Sequence, residues 1–137
     1  MFSNSDLSSS LETGLINLNQ DSMEHLRPKI VLNNFKLREK VLEVILSELK
    51  TCSYFRLGVA FLTRSGVACL HQVLKELENN GIKGQVVISQ YLNFSDPNAL
   101  RALMRFDNID LKLINTENYH GKCYLFDHKD FSNLIVG

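Results

Sequence analysis

The sequence predicts an α/β fold with a mixed, mainly parallel sheet and helices on both of its faces. Two observations predict it. Short apolar segments with strand character alternate with amphipathic helical segments from about residue 37 onwards. The segment Tyr54–Leu62 is apolar apart from Arg56, as is typical of a central strand buried on both faces. In such sheets, ligands bind at the carboxyl ends of the strands.

The elements before this central strand are less regular. Ser9 and Glu12 have the spacing of a capping box, which favours a short helix at the start of the chain. An extended piece follows at 26–32, where Pro28 permits only an edge strand or a lead-in. Apolar residues at helical spacing then predict a helix over 37–50.

Helices and strands alternate after the central strand. Thr63 or Ser65 is expected to cap a helix that ends at Asn80-Gly81, where glycine supports a left-handed turn. A second helix is predicted to start at Asp96-Pro97, because proline is favoured in the first turn. Further strands are predicted at four places: 85–89, 110–114, 122–126 and 133–136.

Length and composition indicate one globular, soluble domain. The chain has 137 residues, of which 45% are hydrophobic and 22% are charged. Residues 1–25 are predicted to be a helical and loop lead-in, and residues 26–137 to be the domain itself. No apolar run is long enough to cross a bilayer and no signal peptide is evident, so we expect a cytoplasmic protein without a membrane partner.

Net charge and cysteine content limit the kinds of ligand and metal site that the chain is expected to have. The formal net charge is zero, but residues 1–26 hold four acidic and no basic residues, so the remainder carries 15 minus 11, or +4. That modest excess permits a focused phosphate site but does not indicate a long DNA track, which a partner domain could supply. Three scattered cysteines are predicted to be buried, reduced thiols without a metal: Cys52, Cys69 and Cys123.

The segment Tyr119–Asp127 carries the most specific chemistry. Because side chains alternate along a strand, His120 and Lys122 should point to the same side, roughly 7 Å apart, and Cys123 to the other. A neutral imidazole can attack phosphorus while an ammonium holds the charged oxygens, so the pair suits a phosphodiester and needs no cofactor or metal. The plainer interpretation is a surface histidine beside a solvated lysine.

The same residues resemble the phospholipase D superfamily, whose signature is His-x-Lys, four residues, Asp, and later Gly-Ser-x-Asn. His120, Lys122 and Asp127 match in identity and spacing. Nine residues separate Asp127 from Gly137, a longer gap than the family usually has, and the chain stops before the Ser and Asn. The abrupt stop suggests an excised piece of a longer protein with an impaired site.

A closer resemblance extends over most of the chain. The stretches that carry it are Leu26–Lys29, Val59–Gly66, Ser89–Phe94 and His120–Lys122. They look like the N-terminal nuclease-like domain of bacterial proteins that join a phospholipase D-type module to an ATP-binding DEAD/DEAH-box helicase. In that group the Asp position varies, which makes Asp127 the least secure match. The resemblance implies a role in restriction or defence against foreign DNA.

The resemblance implies a metal-independent nuclease that works through a phosphohistidine. His120 would be the nucleophile, Lys122 would clamp the phosphate, and Asp127 would orient His120 or balance charge. Superfamily sites join two His-x-Lys motifs, and this chain has one, so we expect a homodimer or a second half on another chain. Four residues are predicted to bind substrate: Thr63, Ser65, Gln90 and Gly137. For Thr63 and Ser65, simple helix capping is the competing interpretation.

Other functions stay open at this point. The chain could be a non-catalytic module that binds DNA or dimerises and so positions a helicase. Lipid hydrolysis is disfavoured, because the sequence has no amphipathic membrane stretch. Arg56, if buried in its strand, needs a carboxylate partner that the sequence does not name. His71 is interpreted as a residue at the boundary of a helix's apolar stripe rather than as a ligand.

Overall fold

The computed structural model describes residues 4, 5, 8, 28–36, 38–89, 94–115 and 119–137. It divides into two compact units, Met1–Val41 and Leu42–Gly137, and the domain boundary at residue 26 stays a prediction. The helix predicted from the capping box and the substrate contact predicted for Gln90 both lie outside the described residues.

A tight turn ends the first unit. The backbone groups of Asn34 and Glu39 pair with each other, and Arg38 takes a positive φ of 57° to close the loop. The side-chain oxygen of Asn33 accepts the amide of Val41 at 3.0 Å. The first long helix therefore begins at Val41, four residues later than predicted. Pro28–Asn33 forms neither helix nor strand.

A five-stranded mixed sheet confirms the predicted α/β class. Its strand order is β3-β2-β1-β4-β5, so the apolar strand at Tyr54 is central as predicted. The pairs β1–β2 and β2–β3 are parallel, while β1–β4 and β4–β5 are antiparallel. The strands are β1 (Tyr54–Val59), β2 (Lys83–Ser89), β3 (Ile109–Ile114), β4 (Lys122–Asp127) and β5 (Ser132–Val136).

Three helices are described in full: α1 (Val41–Thr51), α2 (Arg64–Asn79) and α3 (Pro97–Leu103). The Thr63 side chain caps α2 by accepting the Gly66 amide at 3.1 Å. Asp96 caps α3 by accepting the Asn98 amide at 2.7 Å. Gly81 follows α2 with a φ of 69°, the left-handed conformation predicted for it. None of the helices in the described part of the chain has the length and apolar character needed to span a bilayer.

All three described helices pack on one face of the sheet, whereas the sequence predicted helices on both. The parallel strands β1, β2 and β3 follow one another towards the same side of the sheet. Right-handed crossover connections between them therefore place α2 and α3 on the same face. The covered face and the helices share fully buried side chains: Phe55, Leu49, Leu74, Ile88 and Phe126. The opposite face carries Arg56 in an exposed position, and Leu134 and Val136 are 59% and 72% exposed there.

A polar cluster fastens α1 to the β4–β5 hairpin. The ring nitrogens of His128 lie 2.8 Å from the Glu48 carboxylate and 3.2 Å from the Thr51 carbonyl. Both partners are acceptors, so both contacts are hydrogen bonds when the ring carries two protons. Asn133 donates to Glu48 at 3.0 Å, and the His128 ring stacks on Phe131. His128 therefore serves the fold, and it lies at the edge of the sheet opposite to His120.

The three thiols differ in burial. Cys52 is buried and its pKa is raised to about 11, chiefly because burial disfavours the thiolate. Cys123 is partly buried on the uncovered face, as the alternation predicted. Cys69 is exposed on α2, so the prediction of burial was wrong for this residue. Cys69 lies outside the apolar stripe of α2, because the neighbouring Leu70 faces the sheet instead.

Candidate functional site

The site lies at one edge of the sheet, where the parallel strands β1, β2 and β3 end and β4 begins. Lys122, the first residue of β4, pairs with Val59, the last residue of β1. On its other side, the Lys122 amide donates to the Gly137 carbonyl at 3.1 Å, and the Gly137 amide donates back at 3.0 Å. The fold thus brings Lys122 and Gly137 together at the carboxyl ends of the strands, where α/β sheets bind ligands.

His120 is exposed at this edge, two residues before the strand. Its ring lies 6.3 Å from the ring of Phe61, centroid to centroid. Phe61 in turn makes an edge-to-face contact with Phe94 at 6.0 Å, so Phe61 is the aromatic ring beside the imidazole and Phe94 lies on Phe61. The Lys122 ammonium donates to the His120 carbonyl at 3.4 Å. Histidine and lysine therefore share one small region, with the imidazole open to solvent.

Tyr119, the residue before His120, is held by a hydrogen bond to its carbonyl and by close packing of its ring. The Ser89 hydroxyl, fully buried at the end of β2, donates to the Tyr119 carbonyl at 3.3 Å. A Cβ on Gly121 would lie 3.0 Å from the Tyr119 ring, and one on Gly58 would lie 3.4 Å from its hydroxyl. Both glycines therefore make room for the tyrosine ring. Sequence reasoning missed this support, although glycine between a histidine and a lysine was a signal of close packing.

Thr63 and Ser65 lie at the N-terminus of α2. The Thr63 hydroxyl accepts the Gly66 amide and lies 3.3 Å from the Ser65 hydroxyl. The helix cap therefore engages Thr63, as in the competing interpretation, while both side chains stay exposed. The Ser95 hydroxyl accepts the Leu62 amide at 3.1 Å, which joins the loops that precede α2 and α3.

A hollow of about 420 Å³ lies between the helices and the sheet, with Phe61, Thr63 and Ser65 among its lining residues. Its walls are mostly apolar side chains of the core. Tyr124, on the same strand face as Lys122, also lines it. Burial raises the pKa of the Tyr124 hydroxyl, so this phenol stays protonated and does not serve as a base at neutral pH.

Asp127 lies at the opposite end of β4 from His120. The two are seven positions apart in sequence, which is roughly 23 Å at about 3.3 Å per strand residue. The Asp127 carboxylate forms a salt bridge with Arg56 and accepts the Ser132 hydroxyl at 2.7 Å. The structure therefore does not bring Asp127 to His120. It does supply the carboxylate partner predicted for Arg56, whose guanidinium also lies 4.6 Å from the Tyr54 ring.

Asp127→Asn is expected to lower stability by about 1 kcal/mol near neutral pH, because it weakens an ion pair that is partly exposed. The Ser132 hydrogen bond, with Arg56, holds the pKa of Asp127 below its usual range. A lowered folded-state pKa gives stability that is present above the unfolded value of about 3.9 and lost as pH falls below it. Urea unfolding should therefore show that the wild type exceeds the variant in free energy of unfolding by less at pH 3 than at pH 7. An advantage that is equal at both pH values contradicts this assignment.

No group of three or more histidine, cysteine or acidic side chains within the described residues is arranged to hold a metal ion. No family model matches the chain, and no curated protein is significantly similar to it. The case for a function therefore depends on the geometry at the edge of the sheet and on the chemistry that His120 and Lys122 can perform there.

Proposed function

We propose that the chain is a phosphodiesterase module that cleaves nucleic acid through a phosphohistidine on His120. The observation that supports this most is the convergence of an exposed imidazole and the Lys122 ammonium at the carboxyl ends of the parallel strands. Such a pair offers a nucleophile and a fixed cation to one phosphate. The ring of Phe61 beside His120, together with Phe94 in contact with Phe61, offers an apolar surface on which a base can stack.

In this mechanism an unprotonated ring nitrogen of His120 attacks phosphorus. A P–N bond forms, the P–O bond to the leaving nucleotide breaks, and the leaving oxygen takes a proton from a general acid. Water then gives a proton to the conjugate base of that acid and attacks the same phosphorus, a P–O bond forms, and the P–N bond breaks to release the histidine. Lys122 is placed to hold the non-bridging oxygens, whose charge grows in each transition state. The structure shows one histidine at this edge in the described residues, so a second copy of the chain is the proposed source of the acid.

A cleavage assay in EDTA tests the proposal. End-labelled single-stranded and double-stranded DNA are incubated with the chain, with its His120→Ala variant, and with a version that adds Ser-Ala-Asn after Gly137 to complete the family signature. Metal-independent cleavage is expected from the chain or its completed version and not from the variant. A rate that rises more steeply than linearly with protein concentration is expected if two copies form the site.

Trapping the intermediate gives an independent readout. Rapid quenching in alkali should preserve a DNA-linked protein, because a phosphohistidine is stable there and hydrolyses in acid. The adduct should map to His120 by peptide mass spectrometry. Cleavage without such an adduct, or an adduct on another residue, contradicts the nucleophile assignment.

A non-catalytic role in binding nucleic acid is the second candidate. It is favoured by the presence of one histidine at this edge among the described residues, since binding needs no second histidine to act as the acid. In this role the chain would place DNA for a helicase domain of a longer protein. It requires salt-dependent, sequence-independent binding and no hydrolysis by either the chain or its completed version.

A further inference from the structure

A second feature of the larger unit is a groove between α2 and α3, with a volume of about 590 Å³. Its charged and titratable lining residues are Arg64, His71, Arg101 and Arg105. Its floor is made of small side chains, including Ala68 and Ala102. Among the described residues, no carboxylate lines it. The groove is therefore a shallow channel with basic walls, and its small floor lets a ligand's backbone approach the helices closely.

The arginines of the groove have no acidic partner among the described residues, whereas three other basic residues do. Lys75, Lys112 and Arg56 each form a salt bridge with an acidic side chain. Within the described residues Arg64 and Arg105 form none, and Arg101 donates only to the neutral amide oxygen of Asn98 at 3.2 Å. Three guanidinium groups gathered in one groove without a carboxylate partner favour an anionic ligand from outside the chain.

We infer that this groove binds the phosphate backbone of the nucleic acid whose cleavage is proposed at His120. Arg64 and His71 are seven residues apart on α2, about 10 Å at 1.5 Å per residue, which matches about three nucleotides at 3.4 Å each. Guanidinium groups bind phosphate oxygens in pairs of hydrogen bonds. The choice of nucleic acid as the ligand rests on the proposed function. The presence of a basic groove is an independent observation.

The groove begins beside the candidate site. Both helices follow parallel strands that end at the edge where Lys122 lies, and the loops before them are joined by the Leu62 and Asp96 backbones at 2.9 Å. Arg64 comes directly after the Thr63 cap at this edge. A strand with one phosphate at His120 can thus continue into the groove and run along the helices. The groove would hold the substrate beyond the bond that is cut.

Neutralising two groove cations tests this inference. The double variant Arg101→Gln/Arg105→Gln is compared with Lys83→Gln/Lys129→Gln, which makes the same charge change at exposed lysines on the opposite edge of the sheet. Anisotropy titrations of 30-nucleotide single-stranded and duplex DNA are run across a salt series. The groove variant should lower the slope of log affinity against log salt by about 1.5 and weaken binding about tenfold, while the control keeps the wild-type slope. Equal behaviour of the two double variants overturns the inference.

A small substrate separates this inference from the proposed function. Bis(p-nitrophenyl) phosphate reaches His120 without extending into the groove, so the groove variant should hydrolyse it at the wild-type rate while its KM for DNA rises. His120→Ala should lose this hydrolysis and keep the wild-type salt slope. If no version hydrolyses the diester, the proposed function fails, and the DNA titrations still decide the groove.

Discussion

His120→Ala is expected to lower kcat for phosphodiester cleavage by about 10⁴-fold, since losing a covalent nucleophile removes the whole pathway through it. The measurement is single-turnover hydrolysis of bis(p-nitrophenyl) phosphate in EDTA. Folding should be unchanged, because the His120 side chain is exposed and precedes the strand. The circular dichroism spectrum and Tm of the variant should therefore match those of the wild type.

Two further variants sharpen this experiment. Lys122 and Lys83 are each the first residue of a strand, at opposite edges of the sheet, which makes Lys83→Met a matched control for Lys122→Met. Loss of the phosphate clamp should cost about 10²-fold or more in kcat, and the control should keep full activity. Added imidazole should partly restore His120→Ala, because the vacated position is open to solvent. Wild-type cleavage by His120→Ala contradicts the mechanism outright.

The sequence predicted the parts of the fold that depend on local patterns. Alternation placed β4 and put Lys122 and Cys123 on opposite faces, and capping signals located both ends of α2. It failed on the placement of helices, because the face that a helix covers depends on the order in which strands pair. The apolar sequence of β1 does not distinguish a strand with helices on one face of the sheet from a strand with helices on both faces.

Parts of the site were equally beyond local patterns. The motif is defined by spacing in the sequence, which grouped Asp127 with His120. In the structure, the extended strand β4 puts these two residues at opposite edges of the sheet. The rise of about 3.3 Å per residue would have revealed this separation from the sequence. Ser89 is a different case. Its contact with the Tyr119 carbonyl joins residues thirty positions apart, and no periodicity in the sequence reports such a pairing.

Gly84→Ala is expected to destabilise the protein by about 3 kcal/mol, at the upper end of the cost of overpacking a core. A Cβ at this position would lie within 2.4 Å of ring atoms of Phe55, its cross-strand partner. Phe55 is fully buried, so its ring has no solvent space into which to move. Thermal unfolding should show a Tm lower by about 10 °C.

Gly81→Ala is the matched control for this change, since the same methyl group is added where no atom lies within 4 Å. Gly81 has a φ of 69°, so alanine there should cost only about 1 kcal/mol, from backbone strain. The cause of the larger effect can be isolated with Phe55→Leu, because leucine lacks the ring atoms that the new Cβ would meet. The double variant Gly84→Ala/Phe55→Leu should be more stable than the sum of the two single losses implies, since one substitution relieves the clash that the other creates. Additive losses would mean that Gly84 is needed for another reason than the ring of Phe55.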